Sequence, residues 1–162
     1  MYDILEYVWV YLLWTFVLWL GHWYAHASSG FVYRVHNYHH EQYIAGSYAV
    51  LPPRWVQLTG FYTTDWREIM EQVMTEIVPT LPICIATGHW WPLAIIWFDN
   101  AFISPHFDHD ASVRRGWWFA YGVYHTLHHD NPNKNYGFYT VIWDILFQTF
   151  IKPPTQRGVI HG

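Results

Sequence analysis

Residues 4–26 read ILEYVWVYLLWTFVLWLGHWYAH, an apolar run that ends in two histidines. No glycine or proline interrupts this run before Gly21, and it predicts a single helix that continues to about residue 28. The start of the run is acidic and its end is rich in histidine, whereas a secretory signal sequence begins basic and ends in small residues. We therefore expect a membrane helix that carries His22 and His26 on one face of its last turns.

A five-residue pattern, His-x-x-His-His, occurs twice further along the chain. The two copies are His36-Asn37-Tyr38-His39-His40 and His125-Thr126-Leu127-His128-His129. In a helix, an advance of about 100° per residue brings offsets 0, 3 and 4 into one arc, so each copy directs three imidazoles the same way. Neutral imidazole is the commonest metal ligand in proteins. With His22 and His26 the chain offers eight clustered candidate ligands, which are too many for one ion and suit two.

The types of ligand narrow the choice of metal. A single cysteine, Cys84, excludes thiolate zinc sites and iron–sulfur clusters. The His-Glu-x-x-His motif of zinc proteases is absent, and so is the Glu-x-x-His motif of soluble di-iron bundles. Paired coordination by nitrogen alone fits a non-haem di-iron centre best, with zinc as a substitute in a purified sample.

Two further histidines, His106 and His109, bring the candidate ligands to ten. Their spacing of three residues suits one helical face, whereas the neighbouring Pro105 suits a loop equally well. In either geometry we expect at least one of the two histidines to be a ligand. Metal-bound histidines usually donate their other N–H to a carboxylate or carbonyl. Candidates for such contacts, or in the case of the asparagine for holding a metal-bound water, are Glu41, Asn100, Asp108, Asp110, Asp130 and Asp144. Helix capping or solvated charge is the alternative for the carboxylates.

The composition favours a membrane protein. Aromatic residues make up 22% of the 162 residues and charged residues only 12%, both far from an average soluble domain. Three apolar stretches, near residues 4–28, 66–87 and 90–105, predict a small all-α membrane bundle formed by a single domain, residues 1–162. The second stretch is the weakest, because Pro79 and the proline three residues later interrupt it.

The distribution of basic residues suggests an orientation. Every Lys and Arg falls on one side of the proposed spans, so the positive-inside rule places the histidine boxes on the cytoplasmic face. The formal net charge is −4 and no basic stripe exists, which argues against a nucleic-acid partner. The oligomeric state has no signature in the sequence.

The order of the histidines resembles that of a known superfamily. The segment His22-x3-His26-x9-His36-x2-His39-His40-Glu41 is similar to the first half of the fatty acid hydroxylase and sterol desaturase superfamily, the membrane-bound histidine-rich di-iron oxygenases. The last box, with the later segments Asn135-Tyr136-Gly137 and Trp143-Asp144-Ile145-Leu146-Phe147-Gln148-Thr149, resembles its final part. The likeness covers roughly residues 16–150. It departs at the intermediate motif, where His106 and His109 stand among different neighbours, and at Gln148, where the family commonly has Gly.

The resemblance implies two iron ions that use O₂ as co-substrate to hydroxylate or desaturate an unactivated C–H bond of a membrane lipid, fatty acyl or sterol-like substrate. It also implies a separate electron donor, a ferredoxin or a cytochrome b5-like protein with its reductase, because the chain has no redox cofactor motif of its own. The metals would perform the chemistry, so no catalytic side chain is expected. A carotenoid hydroxylase of the same chemistry is an alternative. A membrane zinc hydrolase and a non-catalytic metal-binding membrane protein are alternatives of other classes.

Overall fold

The computed structural model describes residues 3–44, 52–110, 113 and 120–152. All regular elements in these ranges are helical, which confirms the predicted all-α class. The α-helices are α1 (Ile4–Ala27), α2 (Phe31–Ile44), α3 (Arg54–Gln57), α4 (Trp66–Gln72), α5 (Val78–Thr87), α6 (Trp91–Phe102), α7 (Ser104–Phe107), α8 (Val123–Asp130) and α9 (Ile142–Leu146). A π-helical turn, Val73–Ile77, joins α4 to α5.

Helix α1 is the longest element and is long and apolar enough to cross a membrane. The side chain of Asp3 caps its first turn by accepting a hydrogen bond from the backbone N–H of Leu5. Val10, Trp14 and Leu18 recur every four residues and are buried, so they form the stripe that faces the core. Many outward-facing side chains of α1 are also large and apolar, as expected for a helix that contacts lipid.

The second membrane-capable element is the continuous helical run Trp66–Thr87, made of α4, the π-helical turn and α5. The prediction that prolines interrupt this stretch is wrong. Pro79 stands in the first turn of α5, where the missing N–H costs least, and the wider π-helical turn immediately precedes it. Pro82 lies inside the helix and does not end it.

The third apolar stretch forms α6, which has 12 residues and is too short to span a bilayer. Gly88 ends α5 with a left-handed backbone (φ 73°), a conformation that glycine adopts without strain. Pro92 stands in the first turn of α6. The resulting hairpin of α5 and α6 packs beside α1, with Ile83 and Ile96 in one core with Trp14.

Segments that are far apart in the sequence pack together around the histidine-bearing helices. Helix α2 packs against both α1 and α4, and α8 packs against α2. Asp144 on α9 is fully buried and ties the C-terminal segment to α1 by accepting a hydrogen bond from Trp19 Nε1 at 3.1 Å. This arrangement brings the last turns of α1, the middle of α2 and the whole of α8 into one region.

Candidate metal centre

Nine of the ten candidate histidines converge in two groups, within each of which the ligand atoms all lie within 4.8 Å of one another. The five-histidine group contains His22, His26, His36, His40 and His128. The four-histidine group contains His39, His109, His125 and His129. His106 is exposed on α7 and lies outside both groups.

The spacing of nitrogens in the five-histidine group fits an ion at its centre. His36 Nε2 lies 2.9 Å from His26 Nε2, 3.1 Å from His22 Nε2 and 3.2 Å from His40 Nε2. His128 Nε2 lies 3.1 Å from the Nε2 atoms of both His26 and His40. With metal–nitrogen bonds of about 2.1 Å, ligands at right angles are about 3.0 Å apart, whereas tetrahedral ligands are about 3.4 Å apart. The observed spacing therefore suits an ion with five or six ligands.

Three histidines of the four-histidine group have the same spacing. His125 Nε2 lies 3.1 Å from His109 Nε2 and 3.0 Å from His129 Nε2, and the last two atoms are 3.1 Å apart. The two groups are adjacent, because the ring centroids of His40 and His129 are 4.3 Å apart. Each box is divided between the two groups, so its three rings do not serve one site as the spacing predicted. The first and last rings of a box, such as His36 and His40, share a group, and the ring between them, such as His39, belongs to the other.

Backbone carbonyls fix the tautomer of two rings in the five-histidine group. His22 Nδ1 lies 2.8 Å from the carbonyl oxygen of Tyr136, and His128 Nδ1 lies 2.6 Å from that of Lys134. A carbonyl oxygen only accepts hydrogen bonds, so Nδ1 carries the proton and Nε2 presents a lone pair. Lone pairs that face each other across about 3 Å repel, and a cation bound between them would remove this repulsion.

Two carboxylates on α4 orient a further histidine in each group. Glu71 Oε1 accepts a hydrogen bond from His36 Nδ1 at 2.9 Å, and Glu68 Oε2 accepts one from His39 Nδ1 at 2.9 Å. Sequence reasoning missed both. The sequence signal was the helical spacing of Glu68, Glu71 and Gln72 in a run that leads into an apolar stretch. In the structure these three residues form a buried polar face.

Burial keeps most of these rings neutral. Burial, with the neighbouring His26 ring, lowers the pKa of His128 to about 3. Burial also lowers the pKa values of His36, His125 and His129. His39 differs, because its bond to Glu68 and the nearby carboxylates outweigh its burial and raise its pKa. Neutral imidazoles are the form that binds metal at neutral pH.

Only some of the other predicted residues lie near the histidines. Asp108 Oδ2 is 3.8 Å from His125 Nε2 and 3.9 Å from His109 Nδ1. Asn100 is buried and donates a hydrogen bond to Glu76 Oε2 at 2.7 Å.

Asp144 contacts the candidate metal centre indirectly, through Tyr136. Its Oδ1 accepts a hydrogen bond from the backbone N–H of Tyr136, the residue whose carbonyl holds His22. The remaining three predicted carboxylates are exposed: Glu41, Asp110 and Asp130. Glu41 accepts a hydrogen bond from Asn37 on its own helix.

A small cavity adjoins the centre, and a larger pocket adjoins that cavity. A small polar cavity of about 30 Å³ is lined by His36, His39 and His125, together with several buried carboxylates. A pocket of about 610 Å³ has mostly aromatic and aliphatic walls contributed by α1, α6 and later residues. The two cavities share three lining residues: Asp99, Tyr121 and Tyr139.

These features define an all-helical protein with membrane-capable helices and two adjacent histidine groups that could each hold a metal ion. The family model for fatty acid hydroxylase matches residues 7–149, and the chain belongs to the fatty acid hydroxylase family. The match confirms the resemblance seen in the sequence and, with the two helices, marks a membrane protein with a lipid-hydroxylase-type function. Comparison with curated proteins and with solved structures gave no significant match.

Proposed function

We propose that the chain is an O₂-dependent di-iron oxygenase that hydroxylates, or desaturates, an unactivated C–H bond of a membrane lipid with a fatty acyl or sterol-like body. One observation carries this proposal: nine imidazoles form two adjacent groups beside a small cavity that shares a wall with a large apolar pocket. The membership of the fatty acid hydroxylase family supports the same class of substrate.

Each histidine group would hold one iron ion. The five-histidine group offers more nitrogens than the four that zinc usually takes in proteins, and its right-angled spacing favours a higher coordination number. These features support iron over a zinc hydrolase site. When bound, the two irons would activate O₂ and oxidise the substrate C–H bond, with two electrons from a ferredoxin or a cytochrome b5-like donor on the cytoplasmic face.

The protein itself orients the ligands and excludes water. Glu68 and Glu71 hold His39 and His36 in the tautomer that presents Nε2 to a metal, which raises the basicity of the ligand. Seven of the nine rings are buried, and His26 and His109 are half-buried. A dry site of this kind prevents reactive species from being quenched by solvent.

The apolar pocket would hold the body of the substrate. Its wall includes Ile95 and Phe98, which are also exposed on the outer face of α6. The pocket therefore opens at the outer face of α6, where apolar side chains are exposed. A lipid could enter the pocket there directly from the bilayer. Its volume of about 610 Å³ lies in the usual range for pockets that bind small molecules.

Metal content and isotope incorporation test this proposal together. The full-length protein is purified without oxygen, its metals are counted, and it is then reduced and exposed to ¹⁸O₂ in membranes supplied with acyl lipids, sterols or carotenoids. Two irons per chain and ¹⁸O in an acyl or sterol product are expected, with the zinc-loaded protein as the inactive control. Label in carotenoids alone would identify the carotenoid alternative. One zinc per chain with no label would overturn the oxygenase proposal in favour of a hydrolase.

A further inference from the structure

The junction between the two cavities contains an unusual hydroxyl group. Tyr139 lines both the apolar pocket and the small polar cavity beside the histidines. It is 9% exposed, and its ring stacks on Trp14 with centroids 4.8 Å apart. Its hydroxyl is buried and has no hydrogen-bond partner among the described residues.

A buried hydroxyl without a partner is costly and uncommon in folded proteins. Tyrosine hydroxyls elsewhere around the centre are satisfied: Tyr121 donates to Asp99 at 2.7 Å, and Tyr11 donates to the backbone carbonyl of Tyr139 at 3.2 Å. In the described part of the chain, the Tyr139 hydroxyl is therefore a donor without a partner, on a residue that lines both the apolar pocket and the cavity beside the histidines.

We propose that the Tyr139 hydroxyl donates a hydrogen bond to a neutral oxygen on an otherwise apolar substrate, and thereby sets which carbon reaches the histidine groups. Tyr139 is in this view a positioning residue that determines specificity. The inference rests on the proposed function, which it deepens by defining the substrate as a lipid that bears an alcohol, ester or amide oxygen close to the carbon that is oxidised.

The charges around the junction favour a neutral substrate oxygen over a carboxylate. Four carboxyl groups line the small cavity: Glu71, Glu76, Asp99 and Asp108. No Lys or Arg lines either cavity in the part of the chain that the structure describes. The carboxylate of a free fatty acid would lose its hydration there without gaining a Lys or Arg partner, whereas an alcohol or carbonyl oxygen needs only a donor.

A second unpartnered donor lies further out. Trp91 Nε1 is buried without a partner among the described residues and lines the apolar pocket only. It stands at the start of α6, away from the cavity that contains the histidines. Tyr139, which touches both spaces, is the donor placed to fix the reacting carbon.

Binding of a matched pair of probes tests the proposal without turnover. Tritiated hexadecan-1-ol and heptadecane differ by one hydroxyl in place of one methyl group. Their dissociation constants are measured on the metal-loaded, full-length protein in detergent without oxygen. We expect the wild-type protein to prefer the alcohol, and Tyr139→Phe to lower that preference about fivefold, the effect of one neutral hydrogen bond, while alkane binding is retained.

Two variants and one further probe serve as controls. Tyr38→Phe removes a hydroxyl that already donates to Asp65 and that lines neither cavity, so it is expected to leave the ratio of the two dissociation constants unchanged. An unchanged ratio in Tyr139→Phe would overturn the inference, as would a loss of preference in Trp91→Phe instead, or tighter binding of hexadecanoate than of the alcohol. Because no oxygen is consumed, these outcomes are independent of the ¹⁸O₂ experiment, so the two proposals fail separately.

Discussion

The five-histidine group and the four-histidine group are built from similar residues but held differently. In the first, the rings of His22, His36 and His128 are fixed by two backbone carbonyls and by Glu71. In the second, Glu68 on α4 orients His39. An ion with six ligands would keep one position free in the first group and two in the second. Under the proposed function, the five-histidine group would mainly retain its ion, whereas the four-histidine group would leave room for O₂ beside the substrate.

The largest expected effect comes from removing a ligand of the smaller group. His125→Ala leaves three nitrogens there, so we expect the metal content to fall from two ions to about one and hydroxylation to fall at least about 100-fold. The measurements are metal analysis by mass spectrometry and ¹⁸O incorporation.

The matched variant for that prediction is His26→Ala in the larger group. It leaves four nitrogens, and His26 is a half-buried ring at the edge of its group, so most of the metal should be retained. Equal loss of metal in the two variants would show that the groups do not differ in their hold on the ion.

The next effect concerns the support beneath the five-histidine group. The carboxylate of Asp144 accepts five hydrogen bonds, from Trp19 Nε1, Tyr124 Oη, Tyr136 N, Gly137 N and Thr149 Oγ1. In Asp144→Asn an amide NH₂ replaces one acceptor and faces donors, so the free energy of unfolding should fall by roughly 3 kcal/mol. Denaturant titration in detergent measures the change.

The control for this substitution is Asp130→Asn, at an exposed carboxylate. We expect it to change the free energy of unfolding by less than about 0.5 kcal/mol. Because Tyr136 presents its carbonyl to His22, Asp144→Asn should also lower the affinity of the five-histidine group for its ion, so that this ion is lost before the other. Loss of the other ion first would contradict the proposed support.

A smaller and more selective effect is expected at the two carboxylates of α4. Glu68→Ala and Glu71→Ala each remove the acceptor for one Nδ1–H, which typically weakens metal binding about 10- to 100-fold. Competition with a chelator of known affinity measures the change for each ion. Glu68→Ala should have the larger effect, because its group has fewer other ligands. The opposite order would mean that the four-histidine group retains its ion and the five-histidine group leaves room for O₂.

The part of the site that the sequence predicted is the part with a local signature. The spacing within each His-x-x-His-His box specifies which rings share a helical face, and His22 and His26 follow from one turn of α1. The helical class followed from the apolar runs. The same reasoning read Pro79 as an interruption, because the compensating π-helical turn depends on how the helix packs and has no residue pattern of its own.

The contacts that the sequence did not predict are those between distant segments. The carbonyls of Lys134 and Tyr136 hold two of the rings, and a backbone carbonyl has no residue type by which it could be recognised. Glu68 and Glu71 lie outside the boxes and contact His39 and His36. The carboxylates next to a box, which the sequence favours as partners, include exposed residues such as Glu41.

The smallest effect is expected at His106, and it sharpens the composition of the four-histidine group. His106 and His109 share a spacing that suited either or both as ligands, but only His109 Nε2 lies within about 3 Å of the other ligand nitrogens. His106 is exposed and its ring lies against Phe107. We therefore expect His106→Ala to keep both ions and His109→Ala to lose close to one, as measured by metal analysis of the two proteins purified in parallel. Loss of metal in His106→Ala would mean that the segment after α6 presents a different face to the centre, and the four-histidine group would then have to be redrawn with His106 in it.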